Sequence, residues 1–397
     1  MLVSERIKAI KPSPTLAMNA KALSMRQAGV DVISFGVGEP DFDTPKHICE
    51  EAVRAMEEGF TRYTAVGGVP ELKDAIIEKF GQDNGLHYER EEVMVSCGGK
   101  HVLYNLAQAT LNPGDEVIIA APYWVSYPPI VVLAGGRPVI VETKEAEDFK
   151  LSPHALEDAI TPRTKLLILN SPSNPTGSVY TQSELEALAE VVLRHDIWVV
   201  SDDIYEKLIF DGKPFFCIAQ AGEEVKSRTL VVNGLSKAYA MTGWRIGYVG
   251  GAREVIAGMT KIQSQSTSNP NSIAQRAAIA ALRGPQDLIP EMMQAFHERR
   301  KYLVDRLNGL PGVQCNMPGG AFYAFPNFSA YFTDNMIDGN IEGSASLCEY
   351  LLTEARVALV PGVAFGADDF IRFSFATSLE VIKEGLERVE GALHRLG

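Results

Sequence analysis

The middle of the chain alternates short, almost wholly apolar segments with amphipathic helical patterns. A strand that is apolar on both faces belongs to a sheet that helices cover on both sides. A helix is predicted between two such segments, over residues 183–194, with Leu185, Leu188 and Val192 on one face. This alternation favours a doubly wound α/β domain with a mostly parallel sheet. The predicted strands cover residues 92–96, 116–120, 138–141, 165–170, 197–201, 230–232 and 246–249.

The last third of the chain has a different pattern. A charged helical segment covers residues 287–307, strands are predicted at 322–325 and 371–375, and a closing helix at 380–396. We therefore predict a large domain over residues 45–283. A smaller α+β domain would combine residues 1–44, which include an N-terminal arm, with residues 284–397.

Composition excludes several classes of function. The 397 residues carry a formal net charge of −13, and an acidic surface of this kind repels nucleic acid. No apolar segment is long enough to span a bilayer, and charges interrupt the N-terminal residues where a signal peptide would be apolar. Five scattered cysteines without a C-x-x-C pair indicate neither a disulfide framework nor a zinc site. We expect a cytoplasmic protein with no membrane or nucleic-acid partner and no metal.

A lysine follows the strand at 230–232, in the segment Asn-Gly-Leu-Ser-Lys-Ala-Tyr. This residue, Lys237, lies in polar, glycine-rich surroundings between two apolar strands. A lysine that forms a Schiff base needs a partly desolvated site that keeps its amine neutral. Ser236 and Arg245 are suited to bind a phosphate nearby. The alternative, a surface lysine in a loop, is weakened by these surroundings.

Acidic and amide side chains follow two other strands. Asp202 comes directly after the strand at 197–201, where it is placed to hold a proton on a pyridine nitrogen. On that stretch alone, a helix N-cap by Asp202 or Asp203 is the favoured reading. Asn174 lies in the loop at 170–177, where two X-Pro pairs limit the backbone, although an ordinary turn would use the same residues.

Three more segments contain candidate binding residues. Gly99 and Lys100 begin a helix after a glycine-rich turn, where free backbone N–H groups bind phosphate. The turn is not a Walker A loop, because His101 stands where Ser or Thr is required. Trp124 follows a strand and could stack on a planar ring, or simply belong to the core. Arg372 lies in an apolar strand and needs either a substrate carboxylate or an internal salt bridge.

In this order, the segments resemble the class I aminotransferases of fold type I, over residues 12–388. The resemblance is closest to the bacterial aspartate aminotransferase subgroup that also contains prephenate aminotransferases. The segments that carry this closer likeness are Gly-Val-Gly-Glu-Pro-Asp-Phe at 36–42, Ala-Pro-Tyr-Trp-Val-Ser-Tyr at 121–127 and Ala-Met-Thr-Gly-Trp-Arg at 240–245. It implies a transaminase that uses pyridoxal 5′-phosphate, with amino-acid and 2-oxo-acid substrates.

The resemblance also implies a role for each candidate residue. Lys237 forms the Schiff base with the cofactor and moves the proton during transfer. Asp202 pairs with the pyridine nitrogen, while Tyr205 and Asn174 hydrogen-bond the ring oxygen. The remaining implied roles are ring stacking by Trp124, phosphate binding by Gly99, Lys100, Ser236 and Arg245, substrate binding by Arg372, Gly38, Trp124 and Asn174, and contact with the neighbouring subunit's phosphate by Tyr63. The last of these implies a homodimer with shared active sites.

Substrate preference is the point where the chain departs from the best-known branch of the family. That branch binds the distal carboxylate through an arginine of the partner subunit, and no clear counterpart is found here. The polar stretch at 264–268 and the arm residues Lys11, Ser13 and Thr15 are candidates. The implied reaction converts L-aspartate and 2-oxoglutarate to oxaloacetate and L-glutamate. The alternatives are a prephenate or aromatic aminotransferase and a C–S lyase. A DNA-binding regulator is a further alternative, which the acidic composition of the chain disfavours.

Overall fold

The computed structural model describes residues 3–10, 14–332 and 341–396. Its largest feature is a seven-stranded sheet, and each of the seven strands predicted between residues 92 and 249 lies within two residues of an observed strand of this sheet, whereas the strands predicted at 322–325 and 371–375 belong to a smaller sheet. Five shorter strands form two smaller sheets. The strands of the described residues are β1 (Ile33–Ser34), β2 (Val93–Ser96), β3 (Glu116–Ala121), β4 (Arg137–Glu142), β5 (Thr164–Asn170), β6 (Trp198–Asp202), β7 (Thr229–Gly234), β8 (Gly247–Gly250), β9 (Tyr323–Ala324), β10 (Val357–Ala358), β11 (Val360–Pro361) and β12 (Ile371–Ser374).

The strand order of the large sheet is β2-β8-β7-β6-β5-β3-β4. All of its strands are parallel except β8, which runs antiparallel to both of its neighbours. The carboxyl ends of the parallel strands therefore meet at one edge, and the first residue of β8 lies at the same edge. Ligands bind at this edge in open α/β sheets.

Helices cover the sheet, and the α/β class predicted from the sequence is confirmed. The helix predicted at 183–194 begins with a capping box: the Thr181 hydroxyl accepts the Glu184 N–H at 3.3 Å, and the Glu184 carboxylate accepts the Thr181 N–H at 2.7 Å. Among the described helices, none is long and apolar enough to cross a membrane. The helices are α1 (Glu5–Lys8), α2 (Pro14–Gln27), α3 (Lys46–Glu57), α4 (Pro70–Asn84), α5 (Gly99–Thr110), α6 (Tyr127–Leu133), α7 (Pro153–Ala159), α8 (Gln182–Arg194), α9 (Glu223–Ser227), α10 (Arg253–Ser264), α11 (Ser272–Arg283), α12 (Leu288–Asn308), α13 (Ser344–Tyr350) and α14 (Leu379–Leu393).

Residues from both ends of the chain share a second core. Phe35 is fully buried, its N–H donates to the Ala358 carbonyl at 2.9 Å, and its ring lies 5.7 Å from that of Phe373. The same apolar cluster includes Phe296 of α12 and Leu386 of α14. The early and late segments therefore pack together, while the domain boundaries at residues 44 and 283 stay a prediction.

Candidate active site

Lys237 lies three residues beyond the carboxyl end of β7. Nζ donates a hydrogen bond to the Gly38 carbonyl and lies 5.9 Å and 5.8 Å from the ring centroids of Tyr205 and Phe322. Burial lowers the pKa of the amine to about 8, although the carboxylate of Glu39 acts in the opposite direction. At pH 8 roughly half of this amine is neutral, whereas less than about 1% of an ordinary lysine amine is.

Asp202 is the last residue of β6 and is buried. Its Oδ2 accepts a hydrogen bond from the Tyr127 hydroxyl at 2.7 Å. Burial raises the pKa of the carboxyl to about 6, while the bonds from Tyr127 and the Ile204 N–H lower it. The helix-cap reading was wrong, because residues 204–207 form a turn and no helix begins there. Asp202 is therefore a strand-end carboxylate within the site.

The loop after β5 is tied to Asp202 on one side and to Arg372 on the other. Asn170 Nδ2 donates to the Asp202 carbonyl at 2.8 Å, and Asn170 Oδ1 accepts the Asn174 N–H at 2.9 Å. Asn174 Oδ1 in turn accepts from Arg372 Nη1 at 2.9 Å. Asn174 is thus held by more than an ordinary turn would require, and its side-chain NH₂ keeps its donors for a ligand.

Arg372 on β12 is only 5% exposed, yet some of its hydrogen-bonding capacity is unused. Besides Asn174, its guanidinium donates to the Gly36 carbonyl at 3.0 Å and lies 4.5 Å and 5.1 Å from the ring centroids of Tyr323 and Phe365. Nε has no hydrogen-bond partner, and no Asp or Glu in the described ranges forms a salt bridge with it. The sequence left an internal salt bridge of Arg372 as one alternative, and the described residues contain no such salt bridge. A buried cation of this kind favours an incoming carboxylate.

An anion-binding cradle lies at the start of α5. Gly98 has φ +93°, and a Cβ there would meet Arg245 Nη2 at 2.4 Å, so only glycine fits. A Cβ on Gly247 would meet the Gly99 nitrogen at 2.2 Å, which shows how closely β8 approaches the turn. Arg245 is exposed and donates to the Thr242 carbonyl at 2.9 Å. The first N–H groups of a helix have no intrahelical acceptor, so they and Arg245 can bind a phosphate together.

Lys100 and Trp124 meet beside this cradle. Lys100 Nζ lies 4.9 Å from the Trp124 ring centroid, and the Trp124 ring packs edge-on against Tyr127 at 5.3 Å. Burial, followed by the nearby Arg245 charge, lowers the pKa of the Lys100 amine. The sequence predicted a backbone role for Lys100. Its side chain, however, also lies at the site.

Two tyrosines of the site were missed from the sequence. Tyr127 holds Asp202, and the hydroxyl of Tyr323 lies 2.9 Å from that of Tyr205. Tyr323 lies in the predicted apolar strand at 322–325, where an aromatic residue is typical of a core. Its phenol was the only available signal, since a buried hydroxyl needs a hydrogen-bond partner.

The other predicted residues are placed as follows. Ser236 is buried next to Lys237, whereas Tyr63 is 91% exposed and joins none of the residues described above. An exposed tyrosine suits the predicted contact with a second subunit, which stays a prediction. Of the arm candidates, Lys11 and Ser13 lie outside the described residues. Thr15 has a buried hydroxyl without a hydrogen-bond partner.

Comparison with known proteins agrees with this geometry. Residues 30–389 match the family model for aminotransferase class I and II. The chain is 50% identical to an aspartate/prephenate aminotransferase of Nitrosomonas europaea over 99% of this chain and 100% of the relative. It is 51% identical to an aspartate aminotransferase of Geobacillus stearothermophilus, over 98% of both chains. Among solved structures, an aspartate aminotransferase from Rhizobium meliloti superposes with a TM-score of 0.96 and 47% identity, over 100% of this chain and 99% of that one.

Proposed function

The chain belongs to the class I and II aminotransferase family, and on this premise we propose that it transfers the amino group of L-aspartate to 2-oxoglutarate. The products are oxaloacetate and L-glutamate, the cofactor is pyridoxal 5′-phosphate, and the two half-reactions alternate on one site. The observation that carries the proposal is Arg372, a buried guanidinium without a carboxylate partner in the described chain, in the same site as an amine with a pKa of about 8.

The donor set fits pyridoxal phosphate. Lys237 would be the covalent anchor, and the Asp202 carboxylate would pair with the pyridine nitrogen. Tyr205 and the Asn174 NH₂ would hydrogen-bond the ring oxygen. The Trp124 ring would supply a stacking surface. The backbone N–H groups of Gly99 and Lys100 would bind the phosphate, together with Ser236, Arg245 and Tyr63 of the partner subunit.

When bound, pyridoxal phosphate supplies an aldehyde and an electron-withdrawing ring that stabilises negative charge at the substrate α-carbon. The chain's own groups bind the substrate and transfer the proton. Arg372 and the backbone of Gly38 bind the α-carboxylate, and Asn174 and Trp124 line the substrate's position. Lys237 would accept the proton from the substrate α-carbon as a general base and return it as a general acid. Its lowered pKa raises the neutral, proton-accepting fraction at pH 7 to about one tenth, whereas far less than about 1% of an ordinary lysine amine is neutral at that pH.

The subunit and domain arrangement belongs to the proposal as well. We propose a homodimer with shared sites, because Tyr63 is 91% exposed in the single chain. The large domain covers residues 45–283, and residues 1–44 and 284–397 form the smaller one. We place the protein in the cytoplasm. We propose neither a nucleic-acid nor a membrane partner.

A second substrate has its own support. The Nitrosomonas relative carries the name aspartate/prephenate aminotransferase, so prephenate is the alternative amino acceptor for this chain. An aromatic aminotransferase and a C–S lyase would use the same scaffold, but no contact described here favours them. Product analysis separates a lyase from a transaminase, because a lyase releases pyruvate and ammonia from a cysteine conjugate.

The test is the absorption spectrum of the purified protein before and after L-aspartate is added without an oxo acid. We expect a yellow protein whose visible band disappears with aspartate and returns with 2-oxoglutarate. A yellow protein that does not react with aspartate but does react with glutamate and prephenate would show that the proposed substrate pair is wrong and that prephenate is the acceptor. A colourless protein that takes up no pyridoxal phosphate would contradict the proposal.

Lys237→Ala provides the matched genetic test. We expect this variant to lose the visible band and nearly all transamination, because no amine remains to hold the cofactor or move the proton. The control is Lys301→Ala on the exposed surface of α12, which should behave like the wild type. Near wild-type turnover by Lys237→Ala would contradict the assignment.

A further inference from the structure

Tyr323 contacts three residues of the proposed site but has no role in the account above. It is 1% exposed at the start of β9. Its hydroxyl lies 2.9 Å from the Tyr205 hydroxyl, and its ring lies 4.5 Å from the guanidinium carbon of Arg372. A Cβ on Gly38 would be 3.0 Å from the Tyr323 hydroxyl, so the Gly38 backbone lies against it as well.

Resting on the proposed function, we propose that Tyr323 is a positioning residue with two separable parts. Its hydroxyl orients the Tyr205 hydroxyl toward the cofactor, and its ring holds Arg372 for the substrate carboxylate. Tyr323 thereby connects the group that binds the substrate to a group that binds the cofactor.

The relative acidity of the two phenols supports the first part. Either hydroxyl can donate in the 2.9 Å contact between Tyr205 and Tyr323. Burial raises the pKa of both phenols. The Arg372 guanidinium lowers the pKa of both, and at Tyr323 it is the strongest influence after burial. The more acidic phenol is the better donor. When Tyr323 donates, Tyr205 keeps its own proton for the cofactor.

Loss of the hydrogen bond between Tyr205 and Tyr323 should have a measurable effect, because both residues are buried. Tyr205 is 3% exposed, so water cannot replace a lost partner. A buried polar group that loses its partner is destabilised, because no bond to solvent replaces the lost one. The other charged groups near the pair are Asp202 and Lys237, with Glu39 and Arg245 also acting on Lys237. None of these contacts is removed when the Tyr323 hydroxyl alone is deleted.

The second part rests on the ring. The Arg372 guanidinium lies over Tyr323 at 4.5 Å and over Phe365 at 5.1 Å, and its Nε lacks a hydrogen-bond partner. Cation–π contacts of this kind are strongest when they are shielded from water. The two rings therefore support the guanidinium in addition to the hydrogen bonds that its Nη atoms donate to Asn174 and Gly36.

The experiment separates the hydroxyl from the ring in the cofactor-loaded protein. Tyr323→Phe removes only the hydroxyl, and Tyr323→Leu also removes the ring. One measurement is the pKa of the bound chromophore, from its visible band as a function of pH. The other is the KM for aspartate. A donor to the ring oxygen favours the deprotonated chromophore, so a weaker Tyr205 donor raises that pKa.

We expect Tyr323→Phe to raise the chromophore pKa by about half a unit or more and to change the KM by less than about twofold. Tyr323→Leu should raise the KM at least about fivefold. The double variant Tyr205→Phe/Tyr323→Phe should shift the pKa no further than Tyr205→Phe alone, because both deletions break the same chain of hydrogen bonds.

Three results would overturn the proposal: an unchanged chromophore pKa in Tyr323→Phe, additive shifts in the double variant, or an unchanged KM in Tyr323→Leu. The control is Tyr350→Phe, which loses a hydroxyl bond of 3.0 Å to the Ala392 carbonyl in another part of the chain. A pKa shift in this control as large as that of Tyr323→Phe would also overturn it. Failure of the proposed function looks different, because the wild-type protein itself would then lack a chromophore that responds to aspartate.

Discussion

Lys79 and Arg372 are both buried cations, and within the described residues only Lys79 is neutralised by a carboxylate. Lys79 on α4 has a 6% exposed side chain and forms a salt bridge with Glu206, whose side chain is 7% exposed. Asn84 completes this pair, since its Oδ1 accepts from Lys79 at 2.7 Å and its Nδ2 donates to Glu206 at 3.0 Å. Arg372 has carbonyl and amide acceptors and aromatic rings instead.

The difference teaches what each cation is for. Moving a charge out of water costs several kcal/mol, and a nearby opposite charge is needed to offset this. Lys79 has that charge within the fold, on Glu206, which directly follows Tyr205 and lies four residues after Asp202. Arg372 obtains it only when a carboxylate ligand arrives. We therefore expect changes at Lys79 to affect stability and changes at Arg372 to affect substrate binding.

The largest expected effect is on catalysis by Arg372→Leu. Loss of the bidentate partner should lower kcat/KM for aspartate by about 10³-fold or more, which corresponds to roughly 4 kcal/mol of transition-state binding. The free energy of unfolding of the cofactor-free variant should stay unchanged or rise, because an uncompensated buried charge has been removed. Steady-state kinetics and urea unfolding measure the two quantities. A loss of stability above about 3 kcal/mol would show that Arg372 is structural after all.

Lys79→Met should show the opposite pattern. Glu206 would be left buried without its cation, so the free energy of unfolding should fall by about 3–5 kcal/mol. The KM for aspartate should stay within about twofold of the wild-type value, because Arg372 is intact. Urea unfolding of the cofactor-free protein and initial-rate kinetics check this. A large rise in KM without destabilisation would break the comparison.

Ligand binding provides the third contrast. Succinate, a dicarboxylate without an amino group, should stabilise the cofactor-loaded protein by about 2.7 kcal/mol at a hundred times its Kd. Lys79→Met should keep this increment and Arg372→Leu should lose it. Thermal unfolding with and without succinate measures it. Equal stabilisation of the two variants would mean that the ligand does not use Arg372.

The smallest effect is expected when both partners of the buried pair are removed. Lys79→Met/Glu206→Leu should unfold within about 2 kcal/mol of the wild type, since apolar side chains of similar volume often replace a buried ion pair without loss, and the remaining cost is that of the buried Asn84 amide, which loses both partners. It should therefore recover most of the stability that Lys79→Met loses. If the double variant were as unstable as the single one, packing rather than charge would explain the loss.

The strands of the large sheet were predictable because their signal is local. Segments such as 166–169 are apolar on both faces, and only a covered sheet buries both. Lys237, Asp202 and Asn174 were predictable for a related reason: each follows such a strand, and the carboxyl ends of parallel strands meet at one edge. Polar residues at that position were the signal.

Other parts of the site could not be predicted in this way. Tyr323 and Tyr127 have the same local pattern as core aromatics, and only the position of Tyr205 or Asp202 across the fold reveals their bonds. The helix cap favoured at Asp202 was wrong because its carboxylate is held by Tyr127, from 75 positions earlier in the chain. A local cap preference cannot anticipate such a partner.

The sequence alone therefore determined the α/β class, the sheet and the chemical types gathered at its edge, because periodicity and strand-end polarity are local properties. Only the tertiary structure decided which buried charges are compensated. Lys79 lies in a helix with charged neighbours such as Glu78 and Asp83, and Arg372 lies in an apolar strand. One meets Glu206, 127 positions away, and the other meets carbonyls and rings. Whether a charge has a partner depends on contacts between distant segments, and those contacts exist only after the chain has folded.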